Sequence, residues 1–319
     1  MAKYQSKILI VFFPVFMFLV FSLISQRFTA NNIGIVLIQT IIPTLIGFAL
    51  YQGMAGGLLD LSIGARIILA SFVGAYFSKA YGIAGLILGC FVTSMIAAMA
   101  SGALYVALKI PSFFLALCLI LIMEPMPYML FNKTNMSIDG SIAFLGKRPY
   151  NIIIAIAVYL IFSVISGHMK YSYHLRAIGS EEGLAKTLGV KTDRVKFESY
   201  VVSELLCGFA SLLYVCYSNI ITMLTAMDSI TLVFKPLMGV MIAMQLVSRI
   251  DLGVGIFIGE LTLTIIFNGL LSLNVPDNMQ NMVLGVFMLA VIAIMGNRES
   301  LIVAINKRKI VKNVRNQEL

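Results

Sequence analysis

Charge is scarce in this chain: Asp, Glu, Lys and Arg make up 12% of its residues, against roughly 25% in an average soluble domain. So few polar groups cannot cover the surface of a soluble fold of this size. Tryptophan is absent, which leaves tyrosine to supply the amphipathic rings of a membrane–water boundary. Tyr51, Tyr81, Tyr128, Tyr150 and Tyr200 lie near the ends of apolar runs. The only histidines, His168 and His174, form no ligand motif with a carboxylate, and Cys90, Cys118, Cys207 and Cys216 lack paired spacing. A structural metal is thereby excluded, and the cysteines read as core packing. No nucleophile stands beside a recognisable base, and no Gly-x-x-x-x-Gly-Lys-Ser/Thr loop occurs. The chain is therefore not read as an enzyme, and it binds no cofactor and no ATP of its own. The net charge of +9 comes without a basic stripe interleaved with aromatics, so nucleic acid is not a partner.

What is abundant is hydrocarbon. Sixty per cent of the residues are hydrophobic, in recurring runs of the length a helix needs to cross a bilayer. The runs bounded by charges or by Gly, Pro and Asn are 8–25, 33–51, 63–78, 82–107, 112–131, 151–167, 199–217, 230–247, 252–272 and 280–296. They predict an all-α integral membrane protein of about ten transmembrane helices. The first run lacks a small-residue cleavage site and reads as a retained helix. The run at 230–247 is interrupted by Lys235-Pro236 and reads as a broken or re-entrant segment facing the bundle interior. Residues 1–298 then form one transmembrane domain with a loop at 168–198, and 299–319 a basic tail.

Basic residues collect in cytoplasmic loops. With the N-terminus inside, all Lys and Arg except Arg27, Lys79, Lys133, Lys147, Arg148 and Lys235 fall on the cytoplasmic side, Arg66 among them. Both termini are therefore expected in the cytoplasm, with the tail after Arg298 held against membrane lipid.

The longest inner loop has the grammar of a short helix from Glu181 to Leu188. Ser180 can cap it, Glu181 and Glu182 suit the positive end of its dipole, and Gly189 permits a left-handed stop. Leu184 and Leu188 share one face. Such a face calls for a protein partner, or it lies along the headgroups. The stretch Arg176 to Lys196 resembles the permeases of ribose-type ABC sugar importers, in the superfamily of branched-chain amino acid and sugar permeases. Their loop reads like Ala-Leu-Gly-Gly-Asn-Glu-Glu-Ala-Ala-Arg-Leu-Ser-Gly-Ile, and Ala177, Gly179, Glu182, Ala185 and Gly189 match in place. Gly57-Leu-Leu-Asp-Leu-Ser-Ile-Gly64 is similar to the family's Gly-Gly-Ile-Asp-Leu-Ser-Val-Gly, and Asn268-Gly-Leu with Val275 to Val291 resembles its last hairpin. After Asp228, where the family places Gly-Gly-Thr-Ser-Leu, this chain has Phe234-Lys-Pro-Leu-Met-Gly239.

The resemblance implies an importer subunit of a bacterial plasma membrane, moving a small polar solute such as a monosaccharide. A separate ATPase subunit would consume ATP and seat the coupling helix of Ala177, Gly179, Glu181, Glu182, Leu184, Ala185, Leu188 and Gly189. An extracytoplasmic solute-binding protein would deliver the solute. The missing glycine element points to pairing with a paralogous permease, where the simpler arrangement is a second copy.

Four carboxylates, Asp60, Glu124, Glu204 and Glu260, fall within or beside apolar runs, where an unpaired charge costs several kcal/mol. Glu124 precedes Pro125 and Pro127, which should kink the fifth span. Asp60 with Ser62 either caps the third span or lines a path. Glu124, Glu260 and Asn268 are the remaining path candidates, although helix-to-helix bonding would equally account for the carboxylates. If Glu124 or Glu260 coupled protons, the chain would instead be a secondary transporter. A row of small residues including Gly74, Gly85, Gly89 and Gly102 reads as close helix packing.

Overall fold

The computed structural model describes residues 2–246 and 250–276, and single residues at 279, 280, 282, 283, 285, 286 and 289. The expected tenth span and the basic tail lie outside the described residues apart from those few, as does Arg249. Residues 1–269 form one compact unit and residues 270–319 another. In the second, Leu273 and Asn274 donate to Leu270 and Leu271 and close a helix end.

Among the described residues the α-helices are α1 (Ala2–Ile24), α2 (Ile33–Ala55), α3 (Ile63–Leu108), α4 (Ser112–Met123), α5 (Met126–Phe131), α6 (Tyr150–His168), α7 (Lys170–Ser180), α8 (Glu182–Thr187), α9 (Thr192–Ser218), α10 (Thr231–Leu246) and α11 (Leu252–Ser272). Among the described residues, six helical stretches are long and apolar enough to cross a bilayer: Ile33–Met54, Ile63–Leu108, Ser112–Phe131, Tyr150–His168, Thr192–Ser218 and Leu252–Ser272. The architecture is thus that of an all-α membrane protein.

The third and fourth expected spans are one 46-residue element, α3, broken at Gly82. There φ is 60° and ψ is −139°, a conformation glycine alone adopts at no steric cost. The two arms fold back on each other. A Cβ on Gly89 would stand 2.7 Å from the Gly74 Cα, so the small residues bring the arms to backbone contact. Pro125 divides the fifth span as expected: α4 stops at Met123 and α5 starts at Met126.

α9 is the central post, packed along α2 and α3. A further helix, α10, packs on α2 and buries Val233, Leu237, Met238 and Val240, so it faces the interior as expected. It runs unbroken through Pro236. The irregular backbone lies upstream, where Ala226 and Met227 take left-handed conformations ahead of a 3₁₀ turn at Asp228–Ile230. Lys235, counted on the outer side and expected to interrupt this span, lies within the helix, its ammonium 5.6 Å from the Phe267 ring centre.

Among the described residues, one feature departs from a purely helical fold: β1 (Asn135–Ser137) pairs antiparallel with β2 (Ile220–Thr222). The ribbon ties the loop after α5 to the segment after α9, and Met136 and Ile221 sit in a core with Phe72, Leu86 and Cys216. Tyr81, Tyr128 and Tyr150 are exposed, whereas Tyr51 and Tyr200 are buried in the bundle rather than placed at a boundary. Cys90, Cys207 and Cys216 pack inside, but Cys118 faces outward from α4.

Candidate functional site

The turn between α2 and α3 is built around Asp60. One carboxylate oxygen accepts from the Ser62 amide at 3.0 Å and its hydroxyl at 2.6 Å, while the other contacts Arg66 Nη2. Neither Asp60 nor Ser62 caps α3 through its side chain. Asp60 instead closes the turn on the residue two positions on, which Asx side chains do readily. Arg66, expected on a cytoplasmic loop, is 0% exposed. It lies between Asp60 and Glu204 of α9, whose Oε1 is 2.7 Å from Arg66 Nε, an ion pair without hydrogen-bond alignment. A guanidinium keeps its charge in such surroundings and is suited to hold two carboxylates at once. The Tyr200 ring covers it at 6.0 Å. Two carboxylates that would each be costly alone in hydrocarbon thus share one guanidinium.

Glu124 sits at the break between α4 and α5 and accepts from the amides of Met227 and Ser229, both at 2.9 Å. It therefore fixes the irregular entry to α10, using one of its two oxygens for each amide. A Cβ on Gly64 would collide with the Ser229 carbonyl, so this entry also packs against the start of α3.

Glu260 of α11 is fully buried and neither oxygen has a hydrogen-bond partner among the described residues. Gly47 of α2 and Gly239 of α10 leave room for it, and Lys235 is close enough to act on it electrostatically. Asn268, further along the same helix, donates to Gln39 at 2.7 Å and to the Thr264 carbonyl at 2.9 Å. Gln39 carried no sequence signal, being a lone amide in an apolar run.

The expected loop helix exists as α8, and it is preceded by a second helix, α7, that the sequence reading did not anticipate. Leu175 and Ile178 of α7 are buried, and a Cβ on Gly179 would meet the Ala55 carbonyl, so α7 is seated on the end of α2. Burial lifts the Tyr171 hydroxyl well above the usual phenol range, with Glu198 adding to the effect, which keeps it neutral. Ser180 ends α7 and does not cap α8; Glu181 occupies that position in an extended conformation. Gly189 takes φ 84°, and Gly189 and Val190 donate to Lys186 and Ala185, the expected left-handed stop. Ala185 is buried, Ala177 accepts from the Glu181 amide, and Leu184 and Leu188 are 54% and 75% exposed. The structure therefore separates the sequence candidates into an interhelical charge cluster (Asp60, Ser62), a loop clamp (Glu124), a buried polar set (Glu260, Asn268) and a projecting helix pair.

A profile of the family described as branched-chain amino acid transport system / permease component matches residues 32–292. The chain is also 26% identical over 147 residues to the probable ABC transporter permease protein y4mJ of Sinorhizobium fredii (strain NBRC 101917 / NGR234). That alignment takes in 46% of this chain and 43% of the relative. No solved structure matches.

Proposed function

We propose, because this chain belongs to the branched-chain amino acid transport system permease family, that it is the membrane subunit of an ABC importer driven by a separate ATPase. The observation that carries the reading is α8. Two leucines four residues apart, Leu184 on α8 and Leu188 at its end, stand uncovered beside α7, which is itself seated on the end of α2. Apolar side chains so arranged, on a helix outside the apolar spans, suit a groove in a partner protein. That partner is the ATPase, with Ala177, Gly179, Glu181, Glu182, Ala185 and Gly189 shaping the α7–α8 elbow.

The remaining expectations belong to the same proposal. The chain crosses a bacterial plasma membrane about ten times with both termini in the cytoplasm, the Gly82 hairpin supplying two crossings. It works in a dimer with a second copy or a paralogue, receives solute from an extracytoplasmic binding protein, and moves it inward. The ribose-type likeness points to a monosaccharide. Asp60, Ser62, Glu124, Glu260 and Asn268 support the walls of the path. The test is co-purification: an ATPase subunit retained by the wild type and lost from the Leu184→Asp/Leu188→Asp double variant supports the reading. Equal retention by both removes it.

Glu260 favours one competing reading. Because Glu124 is occupied with backbone amides and Asp60 and Glu204 with Arg66, Glu260 is, among the described residues, the membrane carboxylate left for proton coupling, as in a secondary transporter. Uptake abolished by Glu260→Gln and by an uncoupler, yet indifferent to loss of the ATPase, would establish that alternative.

A further inference from the structure

α8 has six residues, far fewer than a helix needs to hold its shape unaided. A push on Leu184 and Leu188 must therefore be passed on by whatever grips α8. Its one ion pair among the described residues is between Glu182 Oε1 and Lys196 Nζ of α9, at 2.7 Å. The Lys196 side chain is 9% exposed, which is unusual for a lysine and requires that its ammonium be well used. The same ammonium is 3.5 Å from the Tyr105 hydroxyl and 5.7 Å from that ring's centre. One cation thus touches α8, α9 and the last turn of α3.

From Tyr105 the contacts continue inward. Its ring lies 5.7 Å from that of Tyr200, and Tyr200 covers Arg66, which holds Asp60 and Glu204. The chain of contacts has no slack where α3 and α9 cross, because a Cβ on Gly102 would be 2.9 Å from Phe197 and 3.3 Å from Tyr200. A close-packed set of this kind passes on a displacement instead of absorbing it.

We propose that Lys196 is a positioning residue for energy coupling: through Tyr105 and Tyr200 it links the orientation of α8 to the Asp60–Arg66–Glu204 cluster and the turn between α2 and α3. This rests on α8 being the docking helix for the ATPase. Its failure is separable from failure of that reading, since the test below uses the full chain alone, and docking is scored separately by co-purification.

Amide hydrogen exchange is followed on residues 182–189 and 56–64 of the full-length chain in nanodiscs. Lys196→Met and Glu182→Gln should each speed exchange by about fivefold in both segments, with the double variant adding little, the non-additivity of one shared network. Lys196→Arg, which keeps the charge, should restore the wild-type pattern. Exchange that rises only in 182–189 would show a local strut and overturn the proposal. A uniform rise across α2, α9 and α11 would also overturn it, since Lys196 would then support the fold at large. Wild-type behaviour in both segments would do the same.

Discussion

Replacing Arg66 by methionine keeps most of the side chain's bulk but removes the cation from between Asp60 and Glu204. Arg66 and Glu204 are fully buried and Asp60 nearly so, so the variant leaves two carboxylates facing each other without water. Breaking a buried pair by removing one partner costs about 3–5 kcal/mol, because the orphaned charge remains desolvated. Part of that cost is recovered when one carboxyl takes up a proton, which like charges at short range encourage. Arg66→Met should therefore lie near 3 kcal/mol in the same range, and its loss should shrink as the pH falls. Glu204→Gln should be milder, about 1–2 kcal/mol, since the Arg66–Asp60 pair stays balanced. The triple variant Asp60→Asn/Arg66→Met/Glu204→Gln is the discriminating case. With no charge left to desolvate it should return to within about 1–2 kcal/mol of wild type, and the amide introduced in place of the Asp60 carboxylate retains an oxygen to accept from Ser62. Reversible unfolding of each variant in bicelles, followed by far-UV circular dichroism, measures these differences. Arg66→Met within about 1 kcal/mol of wild type, or a triple variant no better than the single one, would refute the argument that an ionised triad holds α3 to α9.

Glu124→Ala should free the amides of Met227 and Ser229 at about 1–3 kcal/mol, and exchange at 225–231 should speed up while α9 is unaffected. Adding a methyl group at Gly239 would drive into the Glu260 carboxylate, so Gly239→Ala should destabilise the protein by about 1–3 kcal/mol in the same unfolding assay. Combining it with Glu260→Ala should recover part of that loss. Gly189→Val forces a branched side chain into φ 84° at a cost of about 1–2 kcal/mol. It should fray α8 in hydrogen exchange and weaken ATPase retention, whereas Gly189→Asn should retain both.

Composition and run length were enough to establish a helical membrane protein, because the bilayer requires of each crossing a length and an apolarity that local sequence either has or lacks. Short-range grammar was equally readable: Gly189 ended α8 and Pro125 divided the fifth span. The α7–α8 elbow was half legible, since its leucine face depends on spacing within a few residues. What packs on Gly179 depends on α2, and α7 escaped notice for that reason. The interior charges were legible one by one but not as partners. Arg66 read as a loop cation and Lys235 as an outer one, because their positions depend on Glu204 and Glu260, which lie far away in the chain and are brought near only by helix packing. The local sequence thus determined which segments leave water and where each stops. Tertiary structure alone decided which buried charges meet, since the cost of desolvating an ion is settled by whichever group the fold places opposite it.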